Sequence, residues 1–216
     1  MSNINEFSGP PNLWLPPKTE PQKPPTQTWG DLEGKYSEVN WLFNGYIAEG
    51  FTTMIVGPPA MGKSDLMLSW VKTLMYGGTW PDGTAFTQPI DGAMILWVET
   101  EGGEPLNIPR AKKMGIDISR ICTIHDAKTE GNSVNLMDNK DLESIISIAG
   151  FPKVVAIVVD SLSGGHNANE NETGAGKIVQ GITQIARKVN KPLLLAHHVN
   201  KQGFSTDAPN MSHVRG

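Results

Sequence analysis

Thr52-Thr53-Met54-Ile55-Val56-Gly57-Pro58-Pro59-Ala60-Met61-Gly62-Lys63-Ser64-Asp65-Leu66-Met67-Leu68-Ser69-Trp70-Val71 decides how the rest of the chain is read. A short apolar run ends at Val56. The turn from Gly57 to Ser64 has the spacing G-x-x-x-x-G-K-S, and apolar residues at helical spacing follow directly. Strand, glycine-bracketed turn and helix N-terminus, in that order, make a phosphate cradle. Glycines let backbone N–H groups turn inward, and the helix contributes the positive end of its dipole. In such a loop Lys63 reaches the β- and γ-phosphates and the Ser64 hydroxyl ligates Mg²⁺. The nucleotide-binding set is therefore Gly57, Pro58, Pro59, Ala60, Met61, Gly62, Lys63, Ser64 and Asp65, and the expected ligand is a nucleoside triphosphate with Mg²⁺.

Working outward, apolar runs that read as strands occur at Thr52 to Val56, Ala93 to Val98, Ile121 to His125, Val154 to Val159 and Leu193 to Ala196. Helical patterns lie between them, at Lys63 to Met75, more weakly around Pro109 to Met114, at Lys140 to Ile148, and at Gly174 to Val189 with Thr173 as its cap. Apolar strands alternating with helices predict an α/β three-layer sandwich around a mostly parallel sheet. Ligands of such sheets sit at the carboxyl ends of the strands.

The polar residues that end those strands are the remaining candidates. Asp160 follows the run Val154 to Val159 and is the expected metal-side acid opposite the phosphate loop, with Ser64 its partner in the metal set. Glu99-Thr100-Glu101-Gly102-Gly103 follows the run ending at Val98, and a carboxylate there can orient and deprotonate a water. Glu101, beside two glycines, is the preferred base; Glu99 is the alternative, and Glu104 reads as an exposed loop charge. His197 and His198 end the last strand. Adjacent strand residues point to opposite faces and no third ligand lies at helical or hairpin spacing, so a γ-phosphate sensor fits better than zinc. The catalytic candidates are thus Glu101, Lys63 and His198.

Taken together, the phosphate loop, Glu-Gly-Gly after the next core strand, an apolar strand ending in Asp160, and His197-His198-x-x-Lys201 resemble the RecA-type P-loop ATPases, specifically the RepA-like replicative helicase branch of plasmids and phages. The resemblance covers about residues 39 to 216 and implies a RecA-like core. It also implies hydrolysis of the ATP γ-phosphate with Glu101 as base, Arg110 as the family's downstream arginine, and Glu170-Asn171 as its acidic-Asn element. Single-stranded DNA as partner and a hexameric ring follow from the same resemblance. The DNA-contacting loops would be Ser161 to Glu172 and Lys201 to Gly216. One departure matters: the family continues past the His-His-x-x-Lys element into further strands and an arginine finger, whereas the sequence stops at Arg215-Gly216. The expectation is a core without its last strands, with an open sheet edge and impaired ring assembly.

Composition bounds the rest. The 216 residues suit one core with an appendage, and a net charge of −4 does not mark a nucleic-acid coat protein. The single cysteine, Cys122, lies in an apolar stretch and excludes a disulfide framework. With no signal-like N-terminus and no membrane-length apolar run, the expected location is cytoplasmic, with no membrane partner. Seven of the sixteen prolines fall in the first twenty-five residues, which marks residues 1–38 as a proline-rich, disordered or extended arm, with Trp14 and Leu15 as a candidate docking motif. Residues 39–216 form the ATPase core. A different class of function, an ATP-dependent switch that binds a protein partner, is discriminated from the motor by whether DNA or protein stimulates hydrolysis. A small-molecule kinase on the same loop is disfavoured by the Glu-Gly-Gly and His-His elements.

Overall fold

The computed structural model of the chain describes residues 27–34, 38–87, 90–124, 134–162 and 172–198. In chain order the elements are α1 (Trp29–Glu33), β1 (Trp41–Phe43), β2 (Ile47–Ala48), β3 (Thr52–Gly57), α2 (Lys63–Tyr76), β4 (Gly78–Thr79), β5 (Ala85–Phe86), β6 (Met94–Glu99), α3 (Glu104–Lys113), β7 (Ile121–Cys122), α4 (Asn139–Ala149), β8 (Val154–Asp160), α5 (Glu172–Val189) and β9 (Leu193–His198). Two units separate, residues 1–38 and residues 39–216. In the first, α1 is held by a capping box in which Thr28 and Asp31 bond each other's backbone N–H groups. The remaining elements belong to the second.

Each long apolar run becomes a parallel strand, giving a five-stranded sheet in the order β3-β9-β8-β6-β7. Because side chains alternate across a strand, every central strand feeds both faces. Ile95 and Trp97 of β6, Ala156 and Val158 of β8, and Leu194 and Ala196 of β9 pack with Met67, Leu68, Val71, Leu74 and Met75 of α2. Leu96, Val98, Ile157, Val159, Leu193 and Leu195 face the other way, onto Ile145 and Ala149 of α4 and Ile178, Ile182, Ile185 and Ala186 of α5. Both helical sets recur at the three- and four-residue spacing that puts them on one stripe. The molecule is therefore the expected α/β three-layer core of RecA-like type. Among the described residues β3 is an outer strand, and its Met54 and Val56 are 37% and 40% exposed.

An aromatic stack fastens the small hairpins to this core. Phe43 lies between Tyr46 at 4.6 Å and Trp80 at 4.8 Å, with Trp70 of α2 edge-on at 5.9 Å. The Trp80 indole N–H donates to the Leu42 carbonyl at 2.8 Å, so its polar atom is satisfied within the stack. These residues come from separate stretches of the chain, and no period in the sequence links them.

Four expectations change. The weak helix at Pro109 begins five residues earlier, at Glu104: Pro105 sits in the first turn, where a missing N–H costs nothing, and Pro109 is accommodated inside the helix. Thr173 is not a cap, because α5 already begins at Glu172. The strand at Ile121 pairs with β6 only through Ile121 and Cys122, and His125 lies outside the described residues. Glu104, read as a loop charge, is exposed but opens α3, where a carboxylate suits the positive end of the helix dipole.

Candidate functional site

The parallel register sets the ends of four strands in a row. Gly57 of β3 is the register partner of His198 of β9, and Glu99 of β6 is the partner of Asp160 of β8. With β8 and β9 adjacent, the phosphate loop, His198, Asp160 and the glutamate segment line one edge of the sheet. Residues far apart in sequence thus meet because all these strands run the same way.

The loop after β3 turns through two left-handed residues, Ala60 at φ 59° and Gly62 at φ 77°. Gly62 is where that conformation matters, since it is the N-cap of α2 and provides no side chain to cap it. The N-terminal N–H groups of α2 consequently face the loop without a side-chain acceptor from the cap, which suits an anion. Lys63 is buried, and its ammonium donates to the carbonyls of Gly57 at 3.0 Å and Pro58 at 2.8 Å. A third contact runs to His198 Nδ1 at 3.0 Å. Burial lowers the lysine pKa, while the charges of Asp160 and Glu101 act against that. Asp65, in the first turn of α2, pairs with Arg110 of α3 at 3.5 Å, both side chains staying partly exposed.

An ammonium only donates, so His198 Nδ1 is the acceptor and the ring proton sits on Nε2. That nitrogen faces Glu101 Oε2 at 3.5 Å. The other oxygen of Glu101 accepts from the Ser161 hydroxyl. The Glu101 segment is stitched to the end of β8 through Thr100, whose N–H donates to the Asp160 carbonyl at 3.0 Å and whose hydroxyl oxygen accepts from Ser161 N–H at 2.9 Å. His197, one residue earlier on β9, is buried, whereas His198 is partly exposed. Among the described residues no cluster of three His, Cys, Asp or Glu side chains could hold a metal by itself.

The two glutamates sit in different surroundings. Glu101 is open to the site, whereas Glu99 is 6% exposed and faces the back. Its carboxylate accepts from Asn107 Nδ2 at 3.1 Å and lies 3.4 Å from both Trp97 Nε1 and the Glu101 N–H. Glu99 also lines a cavity of about 140 Å³ with Leu68, Trp97, Ala111, Ile118 and Ile121. Burial, then the charge of Asp160, pushes its pKa up. Asp160 is likewise raised by burial first and by Glu101; hydrogen bonds from Ser64 and Asn107 oppose this. Ser64 and Asp160 are thus in contact, one neutral oxygen and one carboxylate at the mouth of the loop, a hard-oxygen set that suits Mg²⁺.

Sequence reading missed Asn107, Thr100 and Ser161. Asn107 was invisible because α3 was placed too late in the chain. Ser161 and Thr100 follow the candidate acids, but their mutual bonds depend on the register of β6 and β8. Lys201, Glu170, Asn171 and Arg215 lie outside the described residues, as do residues 163–171 and 201–216 of the two expected DNA loops.

A phosphate loop between the first strand and first helix of a parallel sheet, with an aspartate at the end of a neighbouring strand, defines a P-loop ATPase core. The chain belongs to the AAA domain family, whose model matches residues 18–203. No curated protein matches it. Among the described residues no helix is long and apolar enough to cross a membrane.

Proposed function

We propose that this chain is the ATP-binding and ATP-hydrolysing motor domain of a RepA-like DNA helicase acting on single-stranded DNA. The observation that carries the ATPase half is the convergence of Lys63, Asp160, His198 and Glu101 at one sheet edge, joined through contacts of 3.0 Å and 3.5 Å about His198. The motor half rests on the sequence resemblance.

In this reading the loop N–H groups and Lys63 bind the phosphates, and Ser64 and Asp160 hold Mg²⁺, which supplies charge neutralisation on the phosphate oxygens. All three Lys63 N–H groups already have acceptors, so incoming phosphate oxygens replace the Gly57 and Pro58 carbonyls or His198. Water attacks the γ-phosphorus, the bond from that phosphorus to the bridging oxygen of ADP breaks, and the water proton passes to the Glu101 carboxylate. Ser161 and His198 hold that carboxylate from two sides. His198 touches both the phosphate-binding lysine and the base, so loss of the γ-phosphate alters its bonding. That makes it the sensor whose change is passed to the segment after β9.

The test is steady-state phosphate release by the full-length protein with and without single-stranded DNA, together with displacement of a labelled strand from a forked duplex. DNA-stimulated hydrolysis with strand displacement is expected. Hydrolysis insensitive to DNA would overturn the motor and leave the ATP-dependent protein switch. Absence of hydrolysis in all conditions would overturn the ATPase assignment.

A further inference from the structure

We infer that Asn107 is a positioning residue for the metal-side aspartate, its side-chain amide bridging Glu99 and Asp160 so that Asp160 is held toward Ser64. This rests on the ATPase reading above and adds a residue that reading does not use.

Glu99 and Asp160 end adjacent parallel strands as register partners, which brings two carboxylates to the same edge. Like charges this close repel, and burial removes the water that would screen them. Asn107 Nδ2 lies 3.1 Å from Glu99 Oε2 and 3.4 Å from Asp160 Oδ2. An amide nitrogen has two hydrogens, one for each carboxylate. Asn107 sits on the first full turn of α3, so the helix itself carries the bridge to the strand ends.

Gly103 provides an independent sign that this contact is built in. Its φ of −79° is open to any residue, so backbone freedom does not explain it. A Cβ at that position would lie 3.0 Å and 3.1 Å from the two Glu99 carboxylate oxygens and 3.1 Å from Asn107 Nδ2. The missing side chain is the space that the Glu99 and Asn107 pair occupies. Glu99 thereby acquires a role distinct from that of a base: it anchors the far end of the amide that steadies Asp160.

The experiment measures Mn²⁺ binding to the protein in complex with a non-hydrolysable ATP analogue, by electron paramagnetic resonance, beside hydrolysis as a function of Mg²⁺. Asn107→Leu should weaken Mn²⁺ binding and raise the Mg²⁺ requirement by about tenfold to a hundredfold, the usual effect of losing an outer support of a metal ligand. Analogue binding in EDTA should stay within about twofold, because the phosphate loop is untouched. Gly103→Ala should act in the same direction. Adding Glu99→Gln to Asn107→Leu should recover most of the loss, since the amide that replaces the carboxylate can donate to Asp160 and removes the repulsion. Unchanged Mn²⁺ binding in folded Asn107→Leu and Gly103→Ala would overturn the inference, as would a double variant no better than the single one. If the wild-type chain bound the analogue but took up no Mn²⁺ with it, the metal assignment of Ser64 and Asp160 would fall first, and the role of Asn107 with it.

Discussion

Replacing Glu101 by Gln tests the assignment of the base most directly, because the structure allows the shape to survive while the chemistry is lost. The two carboxylate oxygens of Glu101 face two donors, the Ser161 hydroxyl and His198 Nε2. A glutamine meets both: its carbonyl accepts from the histidine, and its NH₂ donates to a Ser161 hydroxyl that rotates to accept. Nucleotide binding depends on Lys63 and the loop and should remain. The amide cannot take the water proton, so turnover should fall by about 10² to 10⁴, equivalent to about 3 to 5 kcal/mol on the barrier. Phosphate release at saturating Mg·ATP, with analogue affinity measured in parallel, separates the two effects. Glu99→Gln should lose far less, because that carboxylate is buried behind the site and faces Trp97 and Asn107. Turnover of Glu101→Gln within about threefold of wild type, together with a large loss in Glu99→Gln, would refute the reasoning and move the base to the end of β6.

Lys63→Ala should abolish hydrolysis and weaken ATP binding measured by analogue titration, since the lysine ammonium is the charge held among the loop carbonyls where the phosphates enter. Glu99 has its pKa raised in the folded state, so the fold binds its proton more tightly than the unfolded chain; the stability this group contributes is therefore fully present below the unfolded carboxylate pKa and is lost as pH rises through the folded one. Denaturant titrations across that range should show this decline flattened in Glu99→Gln. Trp80→Ala should cost about 3 to 5 kcal/mol in the same assay, because Trp80 is buried, stacked on Phe43 and bonded to Leu42. The Cys122 thiol, pushed up by burial and donating to the Ile95 carbonyl at 3.1 Å, should react slowly with a thiol reagent at pH 8 and rapidly once the chain is unfolded.

The sequence alone determined the layered α/β core, because short apolar runs and helical stripes are local properties written into neighbouring residues. It also determined the phosphate loop, whose residues are contiguous from Gly57 to Ser64, and Asp160 as the polar end of an apolar strand. What it left open was the order of the strands and their register. Glu99 and Glu101 are two residues apart with similar neighbours, and only the register of β6 against β8 turns one back toward Asn107 and the other toward His198 and Ser161. His198 touches Lys63 only because β9 inserts beside β3, a neighbour relation that skips most of the chain. The start of α3 was misplaced because prolines at 105 and 109 signal helix breaks locally, and their tolerance depends on where the first turn begins. Asn107 and the Phe43–Trp80 stack had no local signature at all. Strand order and register bring distant side chains within bonding distance, and those are set by packing of the whole core, not by any segment within it.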